Sequence, residues 1–274
     1  MTQKQSIDKD TTGYGLKNGH LIFIDDVPSG LVCRCSCVKC GKPLIARKGA
    51  KNQHHFAHYE QSNCKGAAES ALHLLAKELI SELATFSVPE YVYIKKSNLA
   101  FATTQSRQIA KGGVISVDEA AIEKWSTDFI PDIVITSGAK TLIVEIAVTN
   151  FVNKQKMRKI HRRNIPTIEI RLSKSDAFAS RATLKEKLEK DTQSKHWLFH
   201  PKQRKMDEEY LLKLRSLRKA KLRRSSTPTS NKINKFATLD KFDRRIEQFK
   251  TRNKRAPTNA EYEQLWPKSE ERNN

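Results

Sequence analysis

Between residues 37 and 64 the chain spaces sulfur and imidazole as a metal site would. In "CVKCGKPLIARKGAKNQHHFAH" Cys37 and Cys40 form a Cys-x-x-Cys followed by Gly41, the knuckle in which two thiolates and nearby backbone N–H groups grip one ion. His55 and His58 follow, then Cys64. Two sulfurs, one imidazole and a third sulfur complete a closed tetrahedral set. Cys37, Cys40, His58 and Cys64 are therefore assigned to a structural Zn²⁺, with His55 as the rival imidazole. Such a site would staple a small lobe lacking a core of its own. Cys33 and Cys35 read as ordinary strand residues. The competing reading, free and merely buried thiols, needs no metal.

A second chemistry lies further on. "DFIPDIVITSGAKTLIVEIAVTN" holds two apolar runs around Ser137–Gly138–Ala139–Lys140, the pattern of a β-hairpin. Folding about the midpoint between Gly138 and Ala139 places Asp132 opposite Glu145. Like charges so placed repel unless something positive lies between them, and for carboxylate oxygens a divalent cation is apt. Glu145 also interrupts the apolar run Leu142 to Val148, where an unpaired charge is expensive. Coincidental spacing is the bland alternative.

The elements that must hold these residues come next. "HLIFIDDVPSGLVCRC" reads as two short strands around a Pro28–Ser29–Gly30 turn, and a hairpin through Gly49 leads to the histidines. "AAESALHLLAKELISEL" is a helix, with Leu72, Leu75, Ala76, Leu79 and Ile80 in one sector. Glu69, His73 and Lys77 border that sector, as a cleft wall or as a solvated face. Residues 54 to 77 thus hold parts of two sites: one closes the metal, the other begins the cleft. Three regions follow: 13–65, turn- and cysteine-rich; 66–200, helix, strands, helix and strand; and 201–274, a basic helical tail.

Charge sets the partner class. The 274 residues carry 51 Lys and Arg against 30 Asp and Glu, a formal +21. The tail alone has 21 basic and 10 acidic residues. A polyanion, nucleic acid above all, is the economical partner; a merely solvated basic surface is the alternative. "YLLKLRSLRKAKLRR" adds a basic amphipathic helix with Leu211, Leu214 and Leu217 in a stripe. A linker is expected at 225–234, then a helix with Leu239, Phe242, Ile246 and Phe249. A capping box at Thr258 to Glu261 opens a last short helix through Leu265 and Trp266. These C-terminal helices leave a protein partner or self-association open. No apolar run spans a bilayer and the polar start has no signal core, so the expectation is a cytoplasmic protein with no membrane partner.

Taken in order, "CSCVKCGKPLIARKGAKNQHHFAH", "ESALHLLAK" and "PDIVI…LIVEIAVTNFVNKQKMRKIHRRNIPTIEIRLS" resemble the CoiA-like competence-associated family, over about residues 14 to 173. The resemblance implies an α/β (α+β) fold: a zinc-ribbon-like β lobe and a restriction-endonuclease-like α-β-β-β-α-β core of the PD-(D/E)XK type, with the basic tail outside it. It implies metal-dependent hydrolysis of DNA phosphodiesters. Asp132 and Glu145 would hold Mg²⁺ or Mn²⁺, Glu69 would be a further ligand or base, and His73 and Lys77 would line the phosphate path. The lysine expected two residues after Glu145 is Ala147. Lys156, then Lys77, is the candidate to replace it. Where the family often has His, this chain has Asn150. Glu169 is expected to face outwards. A catalytically inactive DNA-binding or recombination-accessory protein on the same fold is the alternative.

Overall fold

The computed structural model describes residues 11–60, 64–95, 104–122, 129–224 and 244–253, with Pro257 and Glu261. Two compact units divide the chain: Met1–Ile94 with Ser106–Gln203, and Lys95–Gln105 with Arg204–Asn274.

In the first unit, strands β1 (Tyr14–Lys17), β2 (His20–Phe23), β3 (Gly30–Ser36), β4 (Pro43–Arg47) and β5 (His55–His58) form a sheet in the order β2-β1-β3-β4-β5. The two strands expected around Pro28–Ser29–Gly30 exist, but β1 lies between them and a 3-10 turn, Ile24–Asp26, precedes the proline. The hairpin through Gly49 pairs Leu44 with His58 and Arg47 with His55. This lobe does own a core, contrary to expectation: Ile24, Val27, Leu44, Ala46 and Phe56 pack with Cys33, Cys35 and Cys37. Period-two alternation sends Leu44 and Ala46 of β4 inwards, and the three cysteines, spaced by two, do the same.

Helix α1 (Ala67–Ser81) follows. Its expected stripe is buried, with Leu72, Leu75, Leu79 and Ile80 fully enclosed. Each such side chain contributes about 1.5–3 kcal/mol of transfer free energy. The stripe packs on Ile133, Ile135, Val144, Ile146, Ile168 and Ile170 of the central sheet.

That sheet consists of β10 (Glu119–Ile122), β11 (Ile133–Ser137), β12 (Lys140–Ala147), β13 (Thr167–Arg171) and β14 (Lys195–Phe199), in that order. Between α1 and β10 lie four short strands that form two separate pairs, β6 (Thr85–Val88) with β9 (Gly113–Ser116) and β7 (Tyr91–Lys95) with β8 (Gln105–Ala110). Strands β10, β11 and β12 are antiparallel neighbours; α2 (Lys154–Arg163) then returns the chain so that β13 runs parallel to β12. Helix α3 (Arg181–Lys190) packs with α1 on one face. On the other face Ile160 of α2 meets Val134, Ile143 and Phe199. A sheet covered on both sides shows both residue parities as buried. That overturns the expectation for Glu169, which is 1% exposed. It alternates with Ile168 and Ile170 as foreseen, but the face it occupies is the one beneath α2 rather than solvent.

In the second unit, α4 (Lys202–Arg224) supplies Asp207 to Lys95 at 3.0 Å, and residues 244–253 form a helix with Ile246 buried. The linker at 225–234, Leu239, Phe242, the Thr258 capping box, Leu265 and Trp266 lie outside the described residues. Among the described residues no helix is long and apolar enough to cross a membrane.

Candidate functional sites

The lobe brings Cys37, Cys40, His58 and Cys64 together, with one ligand atom from each within 4.8 Å of the others. Cys37 and Cys64 lie Sγ to Sγ at 3.8 Å, and Cys40 Sγ is 3.3 Å from His58 Nε2. The knuckle is made by backbone: Gly41 donates its N–H to the Cys37 carbonyl and Cys37 its own to the Lys42 carbonyl, both at 2.9 Å. Gly41 sits at φ +71°, which an L side chain rarely adopts. Burial pushes the Cys40 thiol up, but hydrogen bonds from the Lys42 backbone and His58 outweigh it and bring the thiol down to about 7. Burial and the neighbouring cysteines drive Cys64 up to about 12. Four soft donors converging at this spacing are a group that can hold a metal ion such as zinc. His55 is turned to other use, with Nδ1 2.8 Å from the Gln53 carbonyl.

Seventy residues on, the hairpin closes as its symmetry demanded. Ile133 pairs with Val144 and Ser137 with Lys140, so the register, carried one step further, sets Asp132 opposite Glu145. Gly138 opens the two-residue turn at φ +55°, and its N–H donates to Asp118 Oδ2 at 2.6 Å. From α1, His73 Nε2 lies 3.1 Å from Asp132 Oδ2 and Lys77 Nζ 3.1 Å from Oδ1; the Ile146 N–H adds a third bond at 2.9 Å. Burial would raise the Asp132 carboxyl. Imidazole, ammonium and amide together hold it well below the usual range.

Glu145 is its opposite. It is 1% exposed, and burial and the Asp132 charge push it up to about 8 against the pull of Lys156. Lys156, in the first turn of α2, bonds Glu145 Oε2 directly. Glu145 Oε1 is buried with no hydrogen-bond partner among the described residues. Ala147, where the motif lysine was expected, is enclosed in the core at 2% exposure. The ammonium thus reaches Glu145 from a helix rather than from its own strand.

Glu69 takes a separate place. It accepts from Thr149 Oγ1 at 2.6 Å and from Asn150 Nδ2 at 3.1 Å, just past the end of β12. Burial raises it, but those hydrogen bonds leave it below its ordinary value. Glu69, His73 and Lys77 line one open cleft of about 610 Å³, with Asn150. The ladder is therefore a cleft wall and not a solvated face.

The sequence reading missed three roles: Thr149 was not singled out, Asn150 was noted only as a departure from the family pattern, and Glu169 was expected to face outwards. Thr149 and Asn150 anchor Glu69. Glu169 stands beside Glu145 in the parallel register and accepts the Val152 N–H at 2.9 Å and Arg171 Nε at 2.8 Å. An acid inside the apolar strand "TIEIR" was the one available signal.

Against known proteins, residues 33–67 match the model of the competence protein CoiA N-terminal domain. The match holds all four cysteine and histidine ligands and ends at the first residue of α1, so the CoiA-like resemblance is shown over this segment. Asp132 and Glu145 lie beyond it. No curated protein and no solved structure matches the chain.

Proposed function

We propose that the chain is a metal-dependent nuclease that hydrolyses phosphodiester bonds of DNA, with a structural Zn²⁺ in the lobe and the basic tail gripping substrate. One observation carries the proposal: two carboxylates face each other at the mouth of a hairpin, with a lysine ammonium on one of them. The order α1–β10–β11–β12–α2–β13 supports it, since it follows the α-β-β-β-α-β sequence of a PD-(D/E)XK core with β6 to β9 as an insertion. The donor set also fits a hard cation, because carboxylate oxygens are its preferred ligands and Glu145 Oε1 has no other partner among the described residues.

Mg²⁺ or Mn²⁺ bound by Asp132 and Glu145 would polarise the scissile phosphate and lower the pKa of an attacking water. The protein's own groups do the rest. His73, Lys77 and the Ile146 N–H keep Asp132 ionised and fixed in orientation. Lys156, pre-positioned on Glu145, supplies positive charge where the phosphoryl group gains negative charge. Glu69 ties the β12 exit loop to α1 through Thr149 and Asn150, setting the width of the cleft.

The test is cleavage of labelled single- and double-stranded DNA in Mg²⁺, Mn²⁺ and EDTA, for wild type, Glu145→Ala and Lys156→Met. Metal-dependent cutting that both substitutions abolish is the expected result. The second reading, a non-catalytic DNA-binding accessory protein, draws on the buried Ala147 and on the imidazole and ammonium already placed on Asp132. DNA binding with no cutting under any metal would replace the first reading with the second.

A further inference from the structure

The loop between β12 and α2 is clamped from both sides. Glu69 holds its start through Thr149 and Asn150. Buried Glu169 holds its middle through the Val152 N–H, and the Asn153 side chain caps α2 by accepting the Lys156 N–H at 2.9 Å. Between these anchors Phe151 stands 58% exposed. Its ring carries the Arg171 guanidinium 5.0 Å from the centroid, and that guanidinium is itself fixed by Glu169 at 2.8 Å.

A single exposed aromatic is ordinary on a protein surface. This one sits on a loop pinned on both sides by hydrogen bonds and under a guanidinium that Glu169 fixes, so its exposed ring is held in one place. Its position also has chemistry around it. It follows the strand that bears Glu145 and precedes the helix that bears Lys156. Lys154 and Arg158, four apart on α2 and both exposed, add positive charge on one face of that helix.

We infer that Phe151, backed by Arg171, is a stacking platform for an unpaired nucleobase of a single-stranded polynucleotide whose phosphates run along Lys154 and Arg158. Every base has a π face, so an aromatic platform binds single strands without reading sequence, and a paired base inside a duplex cannot reach it. This inference rests on the nucleic-acid reading of the neighbouring site and names its substrate form. Glu69 and Glu169 are positioning residues here: they touch the loop and not the base.

Binding is measured by fluorescence anisotropy in buffer without Mg²⁺ or Mn²⁺ and without chelator, which keeps hydrolysis silent and leaves the lobe's zinc in place, with labelled oligothymidine and a labelled duplex of equal length. Phe151→Ala is expected to weaken single-strand binding about tenfold, and Phe151→Tyr to stay within about twofold of wild type. Duplex binding of Phe151→Ala is expected to stay unchanged. A fully abasic strand of equal length is expected to bind wild type and Phe151→Ala alike. Equal single-strand binding by wild type and Phe151→Ala would overturn the inference. So would an equal loss on duplex, or no single-strand binding by wild type. The binding result stands whether or not the chain cuts DNA. Cutting with Phe151 irrelevant to binding defeats this inference alone, and stacking without cutting defeats only the nuclease.

Discussion

Asp132 and Glu145 are chemically alike and electrostatically unlike. Asp132 meets three hydrogen-bond donors just before the start of β11, whereas Glu145 is sealed under α2 with one ammonium and one oxygen unpartnered among the described residues. Their pKa values are driven apart, down for the first and up to about 8 for the second. The second shift has a signed consequence. An unfolded glutamate ionises near 4.5. Between that pH and about 8 the folded chain holds the extra proton, so metal-free stability falls as pH rises through this window. Glu145→Gln removes the penalty. At pH 8 in EDTA its Tm is expected to exceed that of wild type by roughly 2–4 °C, the shift produced by about 1 kcal/mol in a unit of this size. At pH 5 the gap narrows. A gap of equal size at both pH values would show that the Glu145 anion is not penalised. Lys156→Met is expected to lower cleavage at least about 10²-fold, as loss of one pre-organised electrostatic group does, with DNA affinity little changed. Filter binding beside the cleavage assay separates the two effects.

At the scale of elements, two hairpins do the positioning. The β4–β5 pairing brings His58 to the level of Leu44, near the knuckle that follows β3. A lobe with its own apolar core changes what metal loss should do. Cys64→Ser is expected to abolish stoichiometric zinc, read by atomic absorption, while the lobe keeps its sheet; hydrogen exchange should speed up in residues 37–42 and 55–60 and little in β1. Global unfolding on chelation would show that the metal, not Phe56 and Leu44, holds the lobe. In the central sheet, Leu75→Ala in α1 is expected to cost about 2–5 kcal/mol in urea unfolding, because Leu75 is fully enclosed in the core that α1 shares with the sheet. The same helix carries His73 and Lys77 to Asp132, so packing and electrostatics are coupled through α1.

For the whole molecule the dominant quantity is the net +21. If it serves nucleic acid, binding releases counterions, and log K should fall linearly with log salt concentration. Six to ten phosphate contacts would reduce affinity by about 10³–10⁵ between 50 and 200 mM salt. Lys213 and Lys219, exposed on α4, are the places to test the tail. The double alanine variant is expected to reduce the slope by about two and to leave sequence preference alone. An unchanged slope would take the tail out of the interface.

The cysteine and histidine cluster that could hold a metal was legible because knuckle spacing is local: Cys-x-x-Cys-Gly closes on itself, and a hairpin brings the histidine back. The facing carboxylates were legible because a two-residue turn determines register across the whole hairpin, so the symmetry about Gly138 and Ala139 reached Asp132 and Glu145. The stripe on α1 followed from its period. Tertiary structure alone decided the rest. Burial of Glu169 depends on α2 covering a face that the strand's own alternation cannot report. That same crossover lets Lys156 meet Glu145 from eleven residues away. The apolar core of the lobe forms only when five short strands, each too brief to signal it, are laid side by side. Periodicity and turn chemistry are properties of neighbours in the chain. Which charge a helix brings to a strand depends on how the crossover packs, and no local pattern encodes that.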